Sequence, residues 1–351
     1  MKRIVLSGYY GFDNAGDEAV LAGLVRALRT RAASSELAIE ALSIAPDATR
    51  TAHGIDSAHR MQLGSVMRSL ASADLVASGG GSLLQDSTSR HSIFYYLAIV
   101  RIAQMLGKKT MFVAQGIGPL NLQRSRKLTA SVANRLDAIT VRDDASAALL
   151  RAIGCTRPPI EVTADPALLL GSPTPVLGRS GVGVALREWQ GETAQLAGDL
   201  ALAYRTTLAG APIIDMPMMR GADEAANAAF INAAGGEARR GNGELADLLQ
   251  QAAGVEMVLG MRLHALIFAA ASGTPSVALS YDPKVAAFMA QTGQQDAVYD
   301  IASRNPEALR AMVAKVWSER GARAAALAAR LPALRTRAQR NADVAVGLLG
   351  L

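Results

Sequence analysis

The sequence lacks several features on which large classes of protein depend. Of its 351 residues, 4% are aromatic and a single one, Cys155, is a cysteine. One cysteine excludes an intramolecular disulfide framework and favours a reducing compartment. The longest apolar runs, such as 265–271, are too short to cross a bilayer. Because residues 1–3 lead straight into a strand pattern, we expect no signal segment and a cytoplasmic protein.

Several catalytic motifs are missing as well. The chain has no Walker A lysine motif, no His-Glu-x-x-His, no Cys/His cluster and no Gly-x-Ser-x-Gly elbow. We therefore expect no metal, no cofactor and no ordinary hydrolase.

The formal net charge is +6, which favours anionic partners such as phosphorylated metabolites, nucleotides or an acidic membrane. Nucleic acid is disfavoured, because no basic run is interleaved with aromatic rings. Much of the positive charge lies between Arg304 and Arg340, in a pattern typical of Ala-rich helix. A solvated basic face explains that segment best, and peripheral contact with anionic lipid is the alternative.

Short apolar runs alternate with helical patterns in two rounds, separated by a Pro- and Gly-rich seam, "LLLGSPTPVLGRSG". Such alternation predicts parallel sheets covered by helices. We predict an α/β protein with two Rossmann-like domains facing across a cleft. The predicted boundaries are 1–170 for the N-terminal domain, 171–180 for the linker, 181–305 for the C-terminal domain and 306–351 for basic C-terminal helices.

Glycine-bearing loops follow the predicted strands, where parallel sheets bind ligands. The first, "GYYGFDNAGDE", does not have the Gly-x-Gly-x-x-Gly spacing of a dinucleotide site. The next, "SGGGSLLQD", contains Gly80, Gly81 and Ser82, which either cradle a ligand or allow a strand and a helix to pack closely. In the first loop Asp17 is either functional or a helix cap, and capping is the better interpretation for Asp143.

Two arginines, Arg142 and Arg187, are predicted to end strands, where burial requires an anionic partner. For Arg142 the partner is Asp143, Asp144, Asp165 or a bound carboxylate or phosphate.

His264 is the strongest catalytic candidate, because it begins a helix after a strand and a Gly-Met-Arg turn. Arg262 lies two residues earlier, and this arrangement suits a general acid or base beside an anion. Lys284, which follows the next strand, is predicted to approach the same place. His91 is a weaker candidate after the glycine-rich loop.

The motifs "GYYGFDNAGDEAVL", "SGGGSLLQD", "QGIGP", "VRDDAS", Asp165-Pro166 and "GMRLHALIFAAASGTP", in this order, closely resemble the polysaccharide pyruvyl transferases. The resemblance covers the chain from Lys2 to about Ala290 and is nearest to the CsaB type, which acts on bacterial cell-wall polymers and serves S-layer anchoring. It implies a glycosyltransferase-B-like fold and transfer of pyruvate from phosphoenolpyruvate to two sugar hydroxyls as a cyclic ketal.

The resemblance also implies roles for the candidate residues. His264 becomes the acid/base and Arg142 the principal anion clamp, assisted by Arg187, Arg262 and Lys284. Asn14 and Asp17 would bind the hydroxyls of a lipid-linked saccharide, with further substrate contacts from the loops that contain Gly80, Gly81, Ser82, His91 and Gln115. The reaction needs phosphoenolpyruvate as co-substrate and no metal.

Two other classes of function stay open. A nucleotide-sugar glycosyltransferase of the same architecture would need a nucleotide pocket in the second domain. A sugar- or anion-binding protein without catalytic activity would leave His264 without a chemical role.

Overall fold

The computed structural model describes residues 1–87, 92–171, 178–208 and 210–351. The described chain divides into two compact units. The first unit comprises Met1–Asp13, Asp17–Leu169 and Arg335–Leu351, and the second comprises Asn14–Gly16 and Leu170–Leu334. Each unit contains one parallel α/β sheet, so the predicted fold class is confirmed.

The sheet of the first unit has the strand order β3-β2-β1-β4-β5-β6-β7. Its central strands are buried on both faces, and for this reason they are nearly continuous apolar runs in the sequence. The strands are β1 (Lys2–Tyr10), β2 (Leu37–Ser43), β3 (Asp56–His59), β4 (Leu75–Gly79), β5 (Lys109–Gln115), β6 (Ala138–Val141) and β7 (Ile160–Val162). The helices along this part of the chain are α1 (Ala15–Arg31), α2 (Pro46–His53), α3 (Leu63–Ser72), α4 (Ser92–Met105), α5 (Gln123–Ala133) and α6 (Asp144–Ala152).

The sheet of the second unit has the order β10-β9-β8-β11-β12-β13, again with every pair parallel. Its strands are β8 (Val182–Ala185), β9 (Ile213–Asp215), β10 (Ala238–Arg240), β11 (Met257–Gly260), β12 (Ser276–Ser280) and β13 (Val298–Asp300). The helices are α7 (Thr193–Thr207), α8 (Glu224–Ala234), α9 (Leu245–Gly254), α10 (Leu263–Ala271), α11 (Pro283–Gln291), α12 (Pro306–Ser318) and α13 (Arg320–Leu349). Within the described ranges, no helix combines the length and apolar character needed to cross a bilayer.

Four strands were not predicted from the sequence, and all four are short and lie at sheet edges. They are β3, β7, β10 and β13, of three or four residues each. Strands such as Asp56–His59 and Ala238–Arg240 carry polar side chains because an edge is only partly covered. Without an apolar run, their sequences do not differ from those of loops.

The C-terminal half of α13 completes the core of the first unit. Ala342, Ala345, Val346 and Leu349 pack in one apolar cluster with residues of α1 and β1. Polar contacts fix the same segment, because Arg31 forms an ion pair with Asp343 at 2.7 Å. The helix predicted for the C-terminal stretch therefore contributes to the stability of the first unit.

We predict that Leu349→Ala lowers the free energy of unfolding by about 2–5 kcal/mol, because it leaves a cavity in that cluster. Leu349 is 4% exposed, whereas Leu351, two residues later, is 45% exposed. Leu351→Ala is therefore the matched control and should change stability by less than about 0.5 kcal/mol. Denaturant titration of both variants checks this, and equal effects would contradict the packing described here.

Candidate functional site

In each sheet, successive strands are added first on one side and then on the other side of a central pair of neighbouring strands. These pairs are β1 and β4 in the first unit and β8 and β11 in the second. In open parallel sheets, ligands bind beyond the carboxyl ends of the strands at such a point. Most of the residues selected from the sequence lie beyond these strand ends.

In the first unit, the triple glycine at the end of β4 packs tightly against its neighbours. A Cβ on Gly79 would lie 2.1 Å from the carbonyl oxygen of Val113, and one on Gly80 would lie 2.2 Å from Val20 of α1. Gly80 also has a positive φ of 82°. Close approach of β5 to Gly79 and of α1 to Gly80 thus accounts for both glycines. Gly81 differs, because a Cβ there would lie 2.9 Å from the carboxylate of Asp17.

Arg142 is buried just beyond β6 and its charge is balanced. Its guanidinium lies 3.3 Å from Asp165 and 3.7 Å from Asp143, and it donates a hydrogen bond of 2.6 Å to Ser82 Oγ. Two of the partners predicted from the sequence are therefore present. Asp143 also caps α6 by accepting from the backbone N–H of Ser146, as predicted. Arg142 thereby links the glycine-rich loop to the ends of β6 and β7.

Gln115, at the end of β5, is fully buried and joins the same network. Its Nε2 donates to the carbonyl oxygens of Gly81 at 2.9 Å and Gly116 at 2.8 Å. The predicted site residues Gly81, Ser82, Gln115 and Arg142 are thus connected by hydrogen bonds within the first unit. His91 lies outside the described residues.

Arg60 is a buried cation that the sequence analysis did not select. It donates to the carbonyl oxygen of Gly8 at 2.7 Å and to Tyr96 Oη at 3.2 Å. Its guanidinium lies 4.4 Å from the ring centre of Tyr95 and 5.2 Å from that of Phe12. Burial raises the pKa of Tyr96 to about 12 even though Arg60 opposes this shift. Aromatic faces stabilise this cation, which has no ion pair with a carboxylate in the described part of the chain.

The start of α1 is grouped with the second unit and contacts the loop after β9. Ala15 N donates to Met218 O at 2.9 Å, and Asn14 pairs with Met219 as an isolated bridge. Asn14 Oδ1 accepts from Gly16 N at 3.1 Å, as a helix cap would. The first turn of α1 is thus capped by Asn14, and Asp17 lies inside it.

Gly16, the last glycine of the loop "GYYGFDNAGDE", lies at a position where a larger residue would collide with a neighbour. A Cβ on this residue would lie 2.3 Å from Nδ1 and 2.6 Å from Cγ of His264. The backbone therefore approaches the imidazole so closely that only glycine fits without displacement. His264 itself is partly exposed in the first turn of α10, and its Nε2 is buried. Gly16 thus lies against the strongest catalytic candidate of the sequence.

Arg262, at the start of α10, pairs with Asp223. Its Nε lies 3.0 Å and 3.2 Å from the two carboxylate oxygens, and its Nη2 also donates to Oδ1. Asp223 is completely buried and accepts from Met219 N at 3.0 Å. This pair was not predictable from the sequence, because an Asp directly before a helix is typical of a cap. The charge of Arg262 is therefore balanced by the protein.

Arg187 and Lys284 lie beside the same aromatic ring. Arg187 donates to Tyr281 Oη at 3.1 Å, and its guanidinium lies 5.2 Å from the Tyr281 ring centre. Lys284 Nζ lies 6.0 Å from that centre and 3.1 Å from Asp282. Within the described ranges no carboxylate forms an ion pair with Arg187, which is partly exposed. This cluster of Arg187, Lys284 and Asp282 therefore carries net positive charge.

A buried network fixes the strand end that carries Arg187. The backbone N–H of Leu186 donates to Asn227 Oδ1 at 2.7 Å, and Asn227 Nδ2 donates to Asp215 at 2.7 Å. Burial raises the pKa of Asp215, and the hydrogen bond from Asn227 partly offsets this rise. Asn227 was detectable in the sequence "EAANAAFINAA" as a polar residue on the helix face that also carries Phe230 and Ala234.

A metal site does not emerge from this arrangement. The described residues contain no group of three or more His, Cys, Asp or Glu side chains placed to hold an ion. The candidate residues instead offer cations, a histidine and backbone N–H groups, which suit anionic and polar ligands.

Several solved structures have a similar fold. UDP-GlcNAc 2-epimerase from Neisseria meningitidis, solved with UDP-GlcNAc, is similar with a TM-score of 0.66 and 11% identity over 99% of both chains. The enzyme of the same name from Methanocaldococcus jannaschii has a TM-score of 0.60 and 12% identity over 89% of this chain and 92% of that one. The glycotransferase of kitacinnamycin has a TM-score of 0.53 and 15% identity over 99% of both chains. At these identities the likeness establishes the fold alone, which is that of glycosyltransferase-B-like enzymes.

Comparison with curated proteins gives no match. A family model, polysaccharide pyruvyl transferase, matches residues 14–283. The match includes Asn14 and Asp17, the glycine-rich loop after β4, Arg142, Arg187 and His264, and it covers well over half of the chain. The chain therefore belongs to the polysaccharide pyruvyl transferase family.

Proposed function

We propose that this protein is a transferase of the CsaB type that moves pyruvate from phosphoenolpyruvate to two hydroxyls of a sugar. The acceptor we propose is a β-ManNAc of a lipid-linked cell-wall polysaccharide precursor. The products are a cyclic ketal and inorganic phosphate. One observation carries the proposal: Arg187, just beyond β8, and Lys284, beyond β12, lie beside the same Tyr281 ring, and Arg187 has no carboxylate partner in the described ranges.

The donor brings a phosphate and a carboxylate and needs cations that the protein has not already neutralised. Arg187 meets that condition, whereas Lys284 is paired with the partly exposed Asp282 and Arg262 with the buried Asp223. We assign the donor phosphate to Arg187 and Lys284. Arg262 and Asp223 fix the start of α10, whose first N–H groups favour negative charge. The role of Arg142 as an anion clamp stays a prediction, and its observed partners suit it to orient Ser82.

The reaction adds a proton to the methylene carbon of phosphoenolpyruvate. The adjacent carbon then accepts the first sugar hydroxyl, which releases its proton. Loss of phosphate follows, and the second hydroxyl closes the ketal ring with release of its own proton. His264 is suited to deliver the first proton, because an imidazole can act as both general acid and general base. We propose Asp17, Ser82 and Gln115 as acceptor-binding groups of the first unit, with Asp17 available to take a hydroxyl proton.

The nucleotide-sugar glycosyltransferase is the alternative, and the similar solved structures give it partial support through the fold. It requires a nucleotide in place of phosphoenolpyruvate, so one assay separates the two.

Localisation at the inner membrane face is also a proposal. Several basic residues of the C-terminal segment form ion pairs inside their own unit: Arg304, Lys315, Arg320, Arg323 and Arg340. The hydrogen bond from Arg323 is the main reason that the pKa of Asp296 is lowered. The remaining exposed cations, such as Arg310 and Arg330, are the ones available for anionic lipid.

We predict that phosphate is released from phosphoenolpyruvate only when an acceptor is present. The assay uses lipid-linked and nucleotide-linked ManNAc and galactose as acceptors, with UDP-sugars as competing donors. His264→Ala should lower the rate by about 10²–10⁴-fold, because proton delivery is lost. Release of UDP without phosphate would instead favour the glycosyltransferase, and a rate within threefold in His264→Ala would remove its assigned role.

Arg187→Ala should raise the KM for phosphoenolpyruvate by about tenfold to hundredfold, because it removes a charge-assisted hydrogen bond. The KM for the acceptor should change little. Arg310→Ala, at an exposed position of α12, is the control for general loss of positive charge. Steady-state kinetics of both variants decide the point, and equal changes in the two would argue against a specific donor contact.

Gly16→Ala should lower kcat by about tenfold or more, because the added methyl group overlaps the imidazole of His264 and displaces it. Gly198→Ala is the matched control: that helical glycine has no neighbour within 4 Å of the added carbon. It should keep full activity and gain about 0.5–1 kcal/mol of stability. An unchanged kcat in Gly16→Ala would show that the position of His264 does not matter for the reaction.

A further inference from the structure

We infer that Asn341, on the C-terminal helix α13, is a positioning residue that holds the end of β5 and the glycine-rich loop beside it. The inference rests on the proposed function only for what this edge of the first sheet binds. Asn341, β5 and the glycine-rich loop all belong to the first unit.

Asn341 is completely buried and every polar atom of its amide is used. Its Oδ1 accepts from Ala114 N at 3.1 Å, Thr140 Oγ1 at 2.7 Å and Thr163 Oγ1 at 2.8 Å. Its Nδ2 donates to the carbonyl oxygens of Ala164 at 3.0 Å and Ala338 at 2.9 Å. A single side chain of α13 thus connects the ends of β5 and β6 and the segment after β7.

The contact at Ala114 coincides with an irregularity in the sheet. The register between β5 and β6 pairs Phe112 with Ile139 and Gln115 with Val141, so two residues of β5 oppose Thr140. Ala114 has a φ of 44°, a left-handed conformation that costs a residue with a Cβ about 1 kcal/mol. These features define a β-bulge, a device that redirects side chains next to active sites.

Asn341 and Thr140 together stabilise the bulge. Ala114 N donates to Thr140 Oγ1 at 2.9 Å as well as to Asn341 Oδ1. The N–H of the strained Ala114 is therefore shared between two acceptors, Thr140 Oγ1 and Asn341 Oδ1. The Thr140 hydroxyl in turn donates to Asn341 Oδ1. Without Asn341 the remaining contacts have less to offset the cost of the left-handed backbone.

The bulge determines where the next residue points. Gln115 follows Ala114 and donates to the carbonyl of Gly81. Two backbone hydrogen bonds join the same segments: Gly80 N donates to Val113 O at 2.7 Å, and Gly116 N donates to Gly81 O at 3.0 Å. The glycine-rich loop thus rests on the bulged segment, and Asn341 acts on the loop through the bulge.

The two threonines that Asn341 contacts are also close in sequence to Arg142 and Asp165. Thr140 precedes Arg142 by two residues, and Thr163 precedes Asp165 by two residues. The helix α13 therefore fixes the three strand ends from which the hydrogen-bonded network of the first unit extends.

The experiment compares two nearly isosteric variants, Thr140→Val and Thr163→Val. Both threonines are buried, and each loses one hydroxyl that donates to Asn341 Oδ1 at a similar distance. Only Thr140 also contacts Ala114, so only Thr140→Val acts on the bulge. Hydrogen exchange followed by mass spectrometry measures the protection of the amides in 79–82 and 112–118, together with the thermal midpoint of each variant. Asn341→Ala is measured alongside.

We expect exchange in these two segments to become at least tenfold faster in Thr140→Val and Asn341→Ala. In Thr163→Val it should stay within about threefold of the unchanged protein at a similar thermal midpoint. Equal acceleration in both threonine variants would overturn the inference, because it would show general loosening, and so would no acceleration in Thr140→Val. If Asn341→Ala does not fold, the comparison of Thr140→Val with Thr163→Val still tests the inference.

Activity supplies the second readout. If pyruvyl transfer is established, Thr140→Val should lower kcat/KM for the acceptor about tenfold and Thr163→Val less than twofold; equal losses would overturn the positioning role. Absence of transfer in the unchanged protein would refute the proposed function, and the exchange comparison would then decide the inference by itself.

Discussion

A guanidinium that leaves water must have its charge or its hydrogen bonds satisfied, and this constraint organises the functional residues of the chain. Arg142 meets it with Asp165 and Asp143, and Arg262 meets it with the buried Asp223. Arg60 meets it with aromatic faces and a backbone carbonyl. Arg187 resembles Arg60 in its aromatic partners, the hydroxyl and ring of Tyr281, but Arg187 is partly exposed whereas Arg60 is buried. Arg187 is therefore the one of these four arginines that both lacks a carboxylate partner in the described ranges and is accessible to a ligand.

The fold class followed from the sequence because its central strands are buried on both faces and therefore appear as apolar runs. The short edge strands did not follow, since strands such as β3 and β10 carry polar side chains on a partly covered edge. The importance of Arg142 and Arg187 was visible because arginine at the end of an apolar run is unusual. Which arginine is balanced was not visible, because Asp165 and Asp223 reach their partners only through the tertiary fold.

Asn341 shows the same limit more sharply. In the sequence it lies on the apolar stripe formed by Ala338, Ala342 and Ala345, and a polar residue there was the available signal. Its partners come from three separate strand ends, and no local pattern predicts them. The C-terminal helix, which the sequence suggested as a basic surface, contributes its opposite face to the core of the first unit.

The positive charge of Arg187 and Lys284 is the reason for placing the donor in the second unit, and a crystal structure with phosphoenolpyruvate bound tests that placement most directly. We expect the phosphate within hydrogen-bonding distance of Arg187 and Lys284, with the methylene carbon on the side of His264. Phosphoenolpyruvate bound away from Arg187 and Lys284, or a nucleotide occupying their place, would contradict the account.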